Sequence, residues 1–101
     1  MNIKKPETFE ENIKILLNSE TNTKNKAIII EELSELQKVI TKDIRNKFNK
    51  EDLLEEMADV FIVLYITKQL YSISDEELSD SLDKKMERNL KRISKDWTLK
   101  K

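Results

Sequence analysis

Glu55-Glu56-Met57-Ala58-Asp59-Val60-Phe61-Ile62-Val63-Leu64-Tyr65-Ile66 is the stretch on which the fold turns. From Met57 to Ile66 every helical face is apolar, and Asp59 is the only charge. A helix apolar all round requires cover all round. The uninterrupted run from Val60 to Ile66 is far too short to cross a bilayer. The stretch therefore belongs among other helices, and because a lone four-helix chain leaves part of each helix wet, oligomerisation through it is expected.

The rest of the chain supplies three partners. Thr8 and Glu11 are spaced as a capping box, with Pro6 suited to a helix start, ahead of the stripe Phe9, Ile13, Leu16 and Leu17. The polar stretch 18–25 reads as a loop. A second helix is expected from about Lys24 to Lys42 on Ile29, Leu33, Leu36 and Ile40. The polar segment 43–50 connects it to the third, which begins at Asn49 with Asp52 and runs to about Leu70. Ser74 and Glu77 form the clearest capping box, and Ile73 and Leu78 occupy the staple positions around it. The fourth helix follows on Leu78, Leu82, Met86, Leu90 and Ile93. Short loops between long helices predict an all-α, antiparallel four-helix bundle in a single domain spanning 1–101, with 93–101 as a basic tail.

Composition narrows the chemistry. The chain has 101 residues, of which 39% are charged and 38% hydrophobic, with no glycine, cysteine or histidine. Without glycine there is no phosphate-cradling loop, so Rossmann and P-loop nucleotide binding are excluded. Without cysteine or histidine, disulfides, zinc sites and thiol or imidazole catalysis drop out. No apolar run follows the lysines of the Met1–Pro6 start, so no secretory signal is read, and a cytoplasmic location is expected. Net charge is −1, but from Lys84 onward eight Lys or Arg stand against Glu87 and Asp96. That tail has neither interleaved aromatics nor a recognition-helix pattern, so nucleic acid is not an expected partner.

Two acidic motifs remain, Glu31-Glu32-Leu33-Ser34-Glu35 and Glu55-Glu56-Met57-Ala58-Asp59. Acids three apart share a helix face and are ordinarily solvated. Here the neighbours differ. At ~100° per residue, Glu32 falls between Leu36 and Val39, Glu35 lies beside Ile28, and Glu56 and Asp59 share an arc with Val63, Ile66 and Leu70. Buried acidic pairs facing each other repel unless a cation lies between them. Oxygen-only ligation selects Mg²⁺, Mn²⁺ or Ca²⁺, and the glycine-bearing EF-hand loop is absent. The other reading of the same acids is salt bridging to Lys or Arg of a neighbouring subunit.

Glu-Glu-x-x-Glu followed after about twenty residues by Glu-x-x-Asp resembles the signature of the MazG-like all-α nucleoside triphosphate pyrophosphohydrolases, in particular small single-domain members of phage or bacterial type. The resemblance covers about Ala27 to Ile93. It implies a Mg²⁺ site, with Mn²⁺ as an alternative, built from Glu32, Glu35, Glu56 and Asp59 as metal-binding and catalytic residues, and Glu31 and Glu55 as outer or additional ligands. It also implies cleavage of a nucleoside triphosphate between the α and β phosphates, and a homodimer or homotetramer with active sites near subunit interfaces. Lys85, Arg88 and Arg92 match a Lys-x-x-Arg-x-x-x-Arg pattern of similar members, Lys42 and Arg45 match other basic positions, and Asn89 could contact substrate. Such cations would clamp the β and γ phosphates. Tyr65, Tyr71 and Phe61 read as core or interface residues and Trp97 stands in the tail, so no residue is assigned to the base. The alternative of another class is a non-catalytic, oligomeric helical interaction or regulatory protein.

Overall fold

The computed structural model describes residues 8–100, and side chains from 8 to 94. Pro6 and the Trp97 side chain lie outside that description. Four α-helices appear in the expected order, and no strand occurs among the described residues: α1 (Phe9–Asn18), α2 (Asn22–Ile44), α3 (Lys50–Leu70) and α4 (Asp75–Lys100).

Local chemistry starts each helix. The Glu11 amide donates to Thr8 Oγ1 at 3.1 Å, and Asn49 Oδ1 accepts from the Glu51 and Asp52 amides. Ser74 and Glu77 close a reciprocal box, with the Ser74 amide donating to Glu77 Oε1 at 3.0 Å and the Glu77 amide to Ser74 Oγ at 3.1 Å. These bonds satisfy amides that a helix start leaves orphaned. They also hold the Glu77 carboxyl below its ordinary pKa, because the backbone and hydroxyl of Ser74 stabilise the charged form.

The expected loop over 18–25 is shorter than its composition suggests. α2 begins at Asn22, with Thr21 Oγ1 accepting from the Lys24 amide at 3.2 Å. This cap lacks the acidic partner that marks the others, so the polar run concealed it. At its other end α2 runs on past Lys42 to Ile44.

Helix ends are made without glycine. Asn46 (φ 61°) and Ser72 (φ 55°) adopt the left-handed conformation. The Lys47 and Ile73 amides then reach back to the carbonyls of Lys42 and Lys68, each at 2.8 Å, while the Asn46 and Ser72 amides bond to Asp43 and Gln69. Both ends are Schellman motifs.

The core is small: Ile13, Val60, Val63 and Ile66 are its buried apolar residues. α2 and α3, joined by five residues, pack as an antiparallel pair, and α1 lies against α3. Phe9 meets Tyr65 edge-on with centroids 4.9 Å apart, and Gln69 Nε2 donates to the Glu10 carbonyl.

α4 departs from this packing. Every described side chain in it, residues 75–94, is exposed, including Leu82, Met86, Leu90 and Ile93. A Lys68–Asp75 ion pair anchors its start to the end of α3. The radius of gyration is 18.0 Å, against about 13 Å for a compact domain of this length. The all-α, four-helix expectation holds, but within one chain the packed unit is α1–α3. α3 is itself only half covered: Leu54, Phe61 and Leu64 remain exposed.

Candidate metal centre

The site is set by two helical turns that face each other. On α2, Glu32 sits between the half-buried Leu36 and Val39. On α3, Glu56 and Asp59 flank the arc of Val60 and Val63, both buried. Antiparallel packing brings these turns together, and a carboxylate oxygen from each of Glu32, Glu56 and Asp59 lies within 4.8 Å of the other two. Glu32 and Glu56 are half-buried and Asp59 is exposed.

Three carboxylates so close cannot all carry charge cheaply. The Glu32 carboxyl is pushed above its ordinary value by burial first, then by the charges of Asp59 and Glu56, and by a hydrogen bond with Asp59. The Glu56 carboxyl is also raised, by desolvation and then by Asp59, Glu35, Glu55 and Asp52. Glu56 Oε2 is buried and has no hydrogen-bond partner. Among the described residues no Lys or Arg forms an ion pair with any of the three. A buried carboxylate oxygen without a donor, beside two further carboxylates, is the donor set a hard cation completes.

The other expected ligands are placed differently. Glu35, one turn beyond Glu32, pairs with Lys38 at 3.0 Å and stands outside the group of three, although its charge reaches Glu56. Glu31 and Glu55 are exposed on the flanks, where their charges act on Glu32 and Glu56 respectively.

Of the expected phosphate-binding residues, Lys42 and Arg45 lie with Lys38, Ser34 and Thr41 along one outer face of α2. Lys85, Arg88, Asn89 and Arg92 are exposed on α4, which packs on neither of the helices carrying the acids. Within one chain, acids and α4 cations are not brought together.

One feature escaped sequence reasoning. A cleft of about 340 Å³ adjoins Glu32 and Asp59, walled by Ile28, Ile62 and Ile66, and it is lined by Asn25, which is only 2% exposed. Asn25 falls in the polar stretch that reads as a loop, so no periodicity marked it as interior.

In comparisons with known proteins, the family profile of the MazG nucleotide pyrophosphohydrolase domain matches residues 20–93, most of the chain. No curated protein and no solved structure matches it.

Proposed function

The chain belongs to the MazG nucleotide pyrophosphohydrolase family, and from that premise we propose that it is a divalent-metal-dependent hydrolase converting a nucleoside triphosphate to the monophosphate and pyrophosphate, in nucleotide-pool cleaning or regulation. The observation that carries this reading is the unpartnered, buried Glu56 Oε2 within the carboxylate group of Glu32, Glu56 and Asp59. Those three residues would hold Mg²⁺ or Mn²⁺, with Glu35 completing the set once released from Lys38. Such an ion supplies charge neutralisation at phosphate oxygens and activation of water.

The protein's own residues do the rest. Water attacks a phosphorus beside the α–β bridging oxygen, the bond from that phosphorus to the bridge breaks, and the monophosphate and pyrophosphate separate. In a chain without histidine, the proton given up by the water is taken by a carboxylate. Lys85, Arg88 and Arg92, with Lys42 and Arg45, would neutralise the departing phosphates.

The α4 cations reach the acids only in an assembly, and the apolar surface supports one. At ~100° per residue, Leu33, Ile40 and Ile44 of α2 and Met57, Phe61 and Leu64 of α3 fall on the same side of the antiparallel pair, opposite α1, and all are exposed. The stripe of α4 is exposed too. Apolar surface of this extent is what interfaces between copies cover. A homodimer or homotetramer in the cytoplasm is therefore part of the proposal.

The same stripes suit a non-catalytic helical interaction protein, so the test separates the two. Pyrophosphate release is measured from a panel of ribo- and deoxynucleoside triphosphates with Mg²⁺, Mn²⁺ or EDTA. Metal-dependent release from at least one nucleotide is expected. Silence across the panel, in a protein whose melting is indifferent to metal, would leave the interaction protein as the better account.

A further inference from the structure

The cleft beside the acids carries chemistry of its own. Along α2, Asn25, Ile28 and Glu32 follow one another on successive turns, and along α3 Asp59, Ile62 or Val63, and Ile66 do so in the opposite direction. One end of the cleft therefore carries Glu32 and Asp59, its middle is aliphatic, and Asn25 marks the other end together with Ser19 and Glu20. Asn25 lies seven residues from Glu32, about 10 Å at 1.5 Å rise per residue. That is the reach from a metal-held α-phosphate across a sugar to the edge of a base.

The Asn25 amide cannot turn freely. Its Nδ2 donates to the Leu17 carbonyl at 2.8 Å and to the Glu20 carbonyl at 3.4 Å, where α1 ends and the chain turns into α2. Two carbonyl acceptors require the NH₂ group on that side, so both of its hydrogens are committed. The Oδ1 atom accepts no hydrogen bond from the described residues. A residue that is 98% buried thus presents an acceptor without a protein partner to the open cleft, with its donors spent. The cost of leaving that acceptor unpaired arises when a ligand displaces water from the cleft without offering a donor.

Resting on the nucleotide substrate proposed above, we propose that this cleft is the nucleoside pocket and that Asn25 is a specificity-determining residue, accepting the exocyclic N–H of an amino-bearing base, cytosine or adenine. A keto oxygen in the same place would meet Oδ1 acceptor to acceptor. The base is held between aliphatic side chains rather than stacked on a ring, because Ile28, Ile62 and Ile66 make the walls.

Binding of nucleoside 5′-monophosphates to the full chain with Mg²⁺ tests this by calorimetry, using the amino/keto pairs CMP/UMP and AMP/IMP. At least one pair is expected to favour its amino member by about tenfold or more, the scale of a polar group left unpaired once a base closes over it. Ile62→Trp, which fills the cleft without replacing an acid, is expected to lose this binding and to keep the metal-induced rise in melting temperature. Equal affinities within both pairs, a keto preference, no binding of any of the four, or native-like binding by Ile62→Trp would each overturn the assignment. The two proposals fail separately: amino preference without pyrophosphate release from any triphosphate removes the hydrolase and keeps the pocket. Metal-dependent release with no base preference does the reverse.

Discussion

Removing one charge from the acidic group should stabilise the metal-free protein, and Glu32→Gln is the sharpest way to show it. The Glu32 and Asp59 carboxylates have oxygens within 4.8 Å of each other. Two unit charges at that separation repel by about 1 kcal/mol in water-like surroundings and about 3 kcal/mol at an effective dielectric of 20. Asp59 is exposed, so the lower figure governs. An amide at position 32 removes that repulsion and can donate to Asp59. A gain of about 1 kcal/mol corresponds to a rise of roughly 4–8 °C in a domain of this size. Metal should reverse the ranking. At a free Mg²⁺ concentration about 100 times Kd the native protein gains about 2.7 kcal/mol by mass action, whereas the variant, with one of its three converging ligands replaced, gains little. The assay is thermal unfolding by circular dichroism of both proteins, in EDTA and across a Mg²⁺ titration. If Glu32→Gln melts below the native protein in EDTA, or climbs with Mg²⁺ as far as the native protein does, the three carboxylates do not form the centre described here.

Three further outcomes are expected. The raised pKa values of Glu32 and Glu56 make the folded, metal-free protein bind more protons than the unfolded chain between the ordinary value of 4.5 and the raised ones. Metal-free stability should therefore fall as pH rises through that window, while the Mg²⁺-induced increment should grow; melting scans in EDTA and Mg²⁺ over that range give both slopes. Ser72→Gly removes a side chain from a left-handed position and should raise stability by about 0.5–1 kcal/mol, whereas Ser72→Val should lower it, as read by urea unfolding. Ser74→Ala deletes the cap of α4 and should cost about 1 kcal/mol locally. Because α4 is exposed, that loss should appear as faster hydrogen exchange over 75–94 with the α1–α3 core unchanged.

What could be read from sequence was local or angular. The caps at Thr8, Asn49 and Ser74 are contacts three residues long or fewer, and each was legible from residue type and spacing. The arc that Glu32, Glu56 and Asp59 share with apolar neighbours was legible because rotation per residue is constant along a helix, although Asp59, expected on the core side, stands exposed at its edge. The cap at Thr21 was not, since a lysine stands where an acid would have announced it. Asn25 was not legible either: it is polar, its amide partners lie five and eight residues back, and only the placement of α1 makes its position interior.

The sequence by itself determined that this chain is helical, where three of its four helices begin, that α3 demands cover, and which side of each helix bears the acids, because these follow from propensity, caps and period. The tertiary structure decided which acids converge. A periodic pattern places a residue around its own axis but says nothing of the sliding register between two axes, and that register brings Glu32 to Glu56 and Asp59 while Glu35 turns to Lys38. It also decided that α4 stands apart: amphipathicity states that a face needs covering, and only packing states whether its own chain can cover it.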